Sequence, residues 1–306
     1  MVWCKRLRSG LDFKAVEWPL MCHARSCMPH PSRTQVLTAA TLIAFAANSV
    51  IGRQGLLSGD IGAGTFACAR VIFGALALVV LVGPRRSLQA GDWPAAIALV
   101  GYAYCFSYAY LEVGAGAGAL VLFAVVQVTM LGFALYKGER LQPIQWGGLV
   151  LALSALAWWL WPRSGSPALG SCLTMALAGL GWGTYSLLGV GRSSPVQRTA
   201  GNFLRAVPLS VGVLLVMSWI RPEPSPGVVG IGWAALTGAV TSGFGYVLWY
   251  TALRGLSASH AGIAQLTVPV IAAGGGIAFL GEPATASFAW AASLILLGVG
   301  LATVPR

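Results

Sequence analysis

The 306-residue chain is 57% hydrophobic and only 9% charged, where a soluble domain carries about 25% charged residues, so its composition points to lipid as the solvent. Its formal charge of +11 does not point to nucleic acid, because the basic residues are scattered between apolar runs and gather on no single patch. They read as topology signals.

Residues 1–34 form a basic arm with Lys5, Arg6, Arg8, Lys14 and Arg25. Asp12, Lys14 and Glu17 interrupt any apolar core, which makes the arm a poor signal peptide. It reads as a disordered cytoplasmic arm or as sequence upstream of a true start at Met28. Cys22, His23, Cys27 and His30 are zinc-ligand types without a second paired-cysteine module, so no metal site is assigned. Cys4 completes the arm's cysteines, while Cys68, Cys105 and Cys172 fall within apolar runs as small core residues.

Beyond the arm, apolar runs occupy 35–52, 64–82, 93–111, 116–136, 143–161, 167–189, 199–219, 228–252, 260–280 and 284–304. Each is read as a helix able to cross roughly 30 Å of hydrocarbon. Turn chemistry separates them, as in Gly83-Pro84-Arg85-Arg86 and Arg221-Pro222-Glu223-Pro224. Trp93, Trp146, Trp158, Trp159, Trp161 and Trp219 stand near run ends, as an interfacial belt requires. If the chain crosses ten times, one side holds the arm, Arg85, Arg86, Lys137, Arg140, Arg192, Arg198, Arg254 and Arg306. Only Arg53, Arg163 and Arg221 fall on the other, so both termini are expected in the cytoplasm. Sixteen Arg against three Lys, with abundant Ala and Gly, suggest a GC-rich bacterial gene and hence an inner membrane.

The runs repeat. Gly138-Glu139 precedes the fifth and Gly281-Glu282 the tenth, Tyr108-Ala109-Tyr110-Leu111 lies against Tyr250-Thr251-Ala252-Leu253, and Arg70 corresponds to Arg205. The expected fold is all-α integral membrane, about ten transmembrane helices in two five-helix repeats over 35–162 and 167–305. Because five is odd, the second repeat enters the membrane inverted, an arrangement common in secondary transporters.

These duplicated features resemble the EamA-type members of the drug/metabolite transporter superfamily over about residues 36–305. The resemblance implies a ten-helix alternating-access carrier, often an exporter of amino acids or other small metabolites, with a central cavity between the halves. Family members often carry a Trp-Gly pair in the first helix; this chain has Phe45-Ala46-Ala47-Asn48-Ser49 there and Trp182-Gly183 at the corresponding place in the second half.

Polar groups inside hydrocarbon are costly and are the natural functional candidates. Arg70 and Arg205 suit either anion recognition or a repeat-symmetric structural pin. Tyr104 and Tyr108 are four apart on one helix face, as are Tyr246 and Tyr250, with Trp249 adjacent. With Trp182, Tyr185, Gln127 and Gln265, the residues Tyr104, Tyr108, Tyr246 and Trp249 are expected to line a substrate cavity of aromatic walls and a few polar tips. Asn48 is a candidate interhelical amide, and Pro269 a candidate hinge near the middle of the ninth helix. Gly114, Gly116 and Gly118 lack the strand and Lys-Ser/Thr of a phosphate loop and read as close helix contacts. Glu139 and Glu282 read as helix caps.

No Asp or Glu lies well inside a run, and His260 is the only histidine beyond the arm. The carboxylate pair, metal cluster or nucleophile–histidine set of an intramembrane enzyme is therefore missing. The expected protein is no enzyme and needs no cofactor or metal. Its partners are a small-molecule substrate and the bilayer, with no nucleic acid, as monomer or homodimer. A lipid flippase or scramblase, or a non-transporting membrane scaffold, are the alternatives.

Overall fold

A computed structural model describes residues 31–136, 138, 141–161, 168–189, 194–256, 264–265, 267–302 and 304. Residues 1–30 of the arm, Glu139 and His260 lie outside the described residues. Among the described residues every regular element is helical, as lipid demands of a backbone that must satisfy its own hydrogen bonds. In chain order these are α1 (Pro31–Leu57), α2 (Ala63–Val82), α3 (Pro84–Gln89), α4 (Trp93–Ala109), α5 (Ala115–Tyr136), α6 (Pro143–Leu160), α7 (Leu169–Gly189) and α8 (Pro195–Ile220). Then come α9 (Val228–Leu236), a π-helical segment (Thr237–Phe244), α10 (Gly245–Ala252), a 3-10 turn (Leu253–Gly255), α11 (Val268–Leu280) and α12 (Ala286–Ala302).

Arg33–Leu57, Ala63–Val82, Ala115–Phe133, Pro195–Ile220 and Val228–Ala252 are at once long and apolar enough to cross a membrane, and α11 and α12 are shorter apolar helices. Large apolar side chains point outward along them, Val80 at 86% and Trp219 at 88% exposed, the surface expected where lipid is the solvent. Trp159 departs from the expected belt: it is buried against the ring of Phe288, 6.0 Å away. The first helix starts at Pro31 instead of residue 35, because proline is well placed in a first turn, where its missing N–H leaves no bond unmade. The short α3 was not expected.

Polar loops fasten the helices at two ends. At one end the Glu223 carboxylate accepts the N–H groups of Gly64 (2.7 Å) and Thr65 (2.8 Å) and the Thr65 hydroxyl (2.7 Å) at the start of α2. At the same end Glu282 accepts the Ala115 N–H through both oxygens at 2.8 and 2.9 Å, capping α5 instead of the helix that follows it. Asp60 accepts the Gly230 N–H (3.0 Å) at the start of α9. Each carboxylate meets the positive end of another helix's dipole. At the other end Asp92 caps its own helix through the Ala95 N–H (2.9 Å) and pairs with Arg198, and Gln145 donates to the Val304 carbonyl (3.0 Å).

Burial pushes the Glu223 carboxyl up, but the hydrogen bonds from Thr65, Gly64 and Tyr108 outweigh it and hold the group below the usual carboxylate range. A depressed folded value means its stabilisation is complete above the unfolded value and lost as pH falls through the folded one. The melting-temperature advantage of the wild type over Glu223→Gln should therefore hold at pH 7 and shrink below pH 4.5, the ordinary value. An offset between the two proteins that stays constant from pH 7 to about pH 3.5 would contradict this cap.

Between the ends, α2 packs on α8 and on the π segment, α4 on α7 and α8, α5 on α7 and α11, α1 on α10, the π segment and α11, and α6 on α12. The π segment lies where α2 comes closest: no Cβ would fit between Gly238 and the Arg70 carbonyl. Pro269 sits in the first turn of α11, where it costs no backbone bond, two residues after the turn at Thr267 that separates α11 from helical residues 264–265. The π segment is a second departure from α-helical bonding.

Candidate functional site

Arg70 on α2 is 1% exposed, although a guanidinium stays charged in any protein environment. Its Nε donates to Ser242 Oγ (2.9 Å) of the π segment, and its Nη2 to the hydroxyls of Tyr102 (2.9 Å) on α4 and Tyr246 (3.1 Å) on α10. The guanidinium carbon lies 4.5 Å from the centre of the Phe106 ring and 5.0 Å from that of Tyr102, so two aromatic faces take part of the charge. Asn48 on α1 donates to Tyr102 Oη (3.1 Å) and accepts from Thr241 Oγ1 (2.9 Å) and Ser242 Oγ (3.5 Å). Every one of these partners is neutral. Nη1 is buried with no hydrogen-bond partner among the described residues, and the described acids are placed at the two helix ends.

An aromatic wall adjoins this polar knot. Phe45 on α1 meets Trp182 (5.5 Å between ring centres), Trp249 (5.6 Å) and Tyr246 (6.1 Å). Trp182 on α7 also meets Tyr246 (4.5 Å), Tyr102 (5.4 Å) and Tyr185 (5.6 Å). Phe45 and Trp182, at corresponding places in the two halves read from the sequence, thus touch edge to face. A cavity of about 10 Å³ remains among Phe45, Asn48, Tyr102, Phe123, Trp182 and Tyr246, room for about one water. The indole nitrogens of Trp182 and Trp249 are buried without an acceptor among the described residues. The result is a chamber rich in donors, walled by rings and, among the described residues, without a carboxylate.

Of the residues expected at a cavity, Trp182, Tyr185, Tyr246 and Trp249 converge here, and Arg70 and Asn48 join them. Tyr104 and Tyr108 do not. Tyr104 donates to the Ser210 carbonyl on α8 (2.6 Å), and Tyr108 to Glu223 at the helix end (3.3 Å). Gln127 and Gln265 are buried on α5 and ahead of α11. Arg205 has surroundings unlike those of Arg70: it donates to the carbonyls of Ala90, Leu88 (3.0 Å) and Gly201 (3.1 Å), fastening α8 to the end of α3. Sequence reasoning missed Phe45, Tyr102, Phe106, Thr241 and Ser242 as site residues. Tyr102 and Phe106 are themselves four apart, a signal equal to that of Tyr104 and Tyr108 on another face of α4.

The sequence pattern of the EamA-like transporter family matches residues 169–304. Over 277 residues the chain is 43% identical to an uncharacterized protein of Pseudomonas aeruginosa, PA1977, a match covering 90% of this chain and 96% of that protein. A crystal structure 20% identical in sequence superimposes with a TM-score of 0.57, covering 86% of this chain and 96% of that one, which is a likeness of fold.

Proposed function

The chain belongs to the EamA-like transporter family, a family of membrane transporters and not of enzymes, and on that premise we propose that it is an alternating-access carrier, an exporter of small metabolites such as amino acids or amphipathic compounds. The carrier crosses the membrane ten times as inverted halves, 35–162 and 167–305, with both termini in the cytoplasm of a bacterial cell.

The observation that carries this reading is the chamber itself. Its polar and aromatic groups come from α1, α2 and α4 of the first half and from α7, the π segment and α10 of the second. A carrier that rocks one half against the other needs its substrate groups at that junction. The main helix pairings support two related halves, because each has a counterpart when the halves are exchanged. The pairs α2–α8, α5–α11 and α6–α12 map onto themselves, α1 with α10 maps onto α7 with α4, and α1 with α11 onto α7 with α5.

Purified protein in proteoliposomes preloaded with a pooled metabolite extract should take up labelled solute by exchange, and a fluorescent phospholipid in the same vesicles should not be scrambled. Lipid scrambling without solute exchange favours a flippase, and neither activity favours a scaffold. In whole cells, a cysteine at exposed Ser225, in the loop before α9, should react with an impermeant maleimide, and one at exposed Leu88 on α3 should not. The reverse labelling pattern would overturn the orientation.

A further inference from the structure

We propose that the chamber around Arg70 binds the carboxylate of a monoanionic metabolite with an aromatic or apolar body, and that it selects against zwitterions and amines. This narrows the carrier reading to its amphipathic substrates, setting aside amino acids because they are zwitterions, and it rests on that reading for its biological sense, but the site can be tested apart from transport.

The donor balance carries the argument. Three buried nitrogens, Arg70 Nη1, Trp182 Nε1 and Trp249 Nε1, have no acceptor among the described residues. Tyr102 and Tyr246 bracket both the guanidinium and the Trp182 ring, so Arg70 Nη1 and Trp182 Nε1 belong to one neighbourhood. The acceptors close to Arg70 are already engaged: Ser242 Oγ and both tyrosine oxygens by Arg70 itself, Asn48 Oδ1 by Thr241. A hydroxyl that accepts from a guanidinium is also polarised to donate its own proton more strongly. Such a group of donors is completed by an acceptor-only ligand group carrying negative charge, and a carboxylate matches the planar fork of arginine.

The same balance argues against an ammonium. Asp60, Glu112, Glu223 and Glu282 are engaged at one helix end and Asp92 at the other, so the described acids leave a cation in the chamber with only ring faces and neutral oxygens beside a fixed positive charge. The walls supply the other half of the recognition. Phe45, Trp182 and Trp249 meet one another's edges and faces, and an aromatic ligand body can replace those contacts with equivalent ones as the rings part.

The test uses the full chain in lipid nanodiscs and four probes of one shape: 3-phenylpropionate, 3-phenylpropionamide, 2-phenylethylamine and L-phenylalanine, titrated by calorimetry. The acid should bind at least tenfold more tightly than each of the other three. Arg70→Gln should bring acid and amide within twofold of each other. Trp182→Phe, which keeps a ring and removes the indole donor, should weaken the acid several-fold and leave the amide unchanged. Equal binding of acid and amide, absence of acid binding, or a wild-type preference in folded Arg70→Gln would each overturn the proposal. If Arg70→Gln does not fold, an unchanged preference in Trp182→Phe overturns it. Selective acid binding without uptake of labelled phenylpropionate into proteoliposomes would keep the site and remove the carrier reading. Uptake of other solutes without any acid preference would do the reverse.

Discussion

Gly238→Val should yield almost no monodisperse protein after detergent extraction, whereas Gly232→Val, nearly two turns earlier in the same run of helix, should behave as wild type in size-exclusion chromatography and thermal melts. Around Gly238 the atoms that a Cβ would meet are the carbonyl oxygen, carbonyl carbon and Cα of Arg70, all backbone, while nothing lies within 4 Å of a Cβ at Gly232. A flexible side chain can turn away from an added methyl group, but the backbone of a packed helix cannot. Overpacking a close-packed interior costs about 1–3 kcal/mol and occasionally more, and here relief requires α2 to move away from the π segment. That movement would also break the Arg70–Ser242 bond and leave Nε, like Nη1, without a hydrogen-bond partner among the described residues. Normal yield and melting temperature for Gly238→Val would show that α2 and the π segment are not in backbone contact.

Trp182→Ala should lower the melting temperature well beyond any other single change in the aromatic wall, while Trp182→Phe should stay close to wild type. The indole is 2% exposed and meets the rings of Phe45, Tyr102, Tyr185 and Tyr246 at 4.5–5.6 Å. Truncating a buried Trp to Ala costs about 3–5 kcal/mol in soluble cores. In lipid little of that is hydrophobic transfer, since the hydrocarbon outside is as apolar as the core, so the lower end of the range is expected, from lost dispersion contacts. Phenylalanine keeps most of those contacts. Equal stability of Trp182→Ala and wild type in differential scanning fluorimetry would mean that the wall is not packed as described.

The apolar runs place these helices well because desolvation of the backbone leaves a chain in lipid few options: the run 228–252 matches the helical stretch at both ends, and 143–161 overruns α6 by one residue. Direction around each helix was much less legible. In a soluble helix the polar face marks what is outside, but α4 is apolar on every side, so the spacing of Tyr104 and Tyr108 says that they share a face without saying which neighbour it meets. Tyr102 and Phe106 met the chamber instead. Arg70 and Arg205 hold matching places in the sequence, yet the unforeseen α3 offers carbonyls to Arg205 alone, and no property of Arg205 itself could have signalled that. The π segment has no sequence mark of the kind that Pro269 carries, since Gly238, Gly243 and Gly245 are equally common in close helix contacts.

The helix starts capped by distant carboxylates also constrain how such a chain is made. Glu223 follows Gly64 by 159 residues, Glu282 follows Ala115 by 167, and Gly230 follows Asp60 by 170. While the ribosome is still working through the second half, the first turns of α2 and α5 have already entered the bilayer without their carboxylates, and α9 must find an acid synthesised long before it. The first turns of α2 and α5 therefore stay without these caps until residues of the second half have been made. Sealing of that end of the bundle becomes a late step in biogenesis, when the nascent chain is nearly complete and the two portions can close over one another.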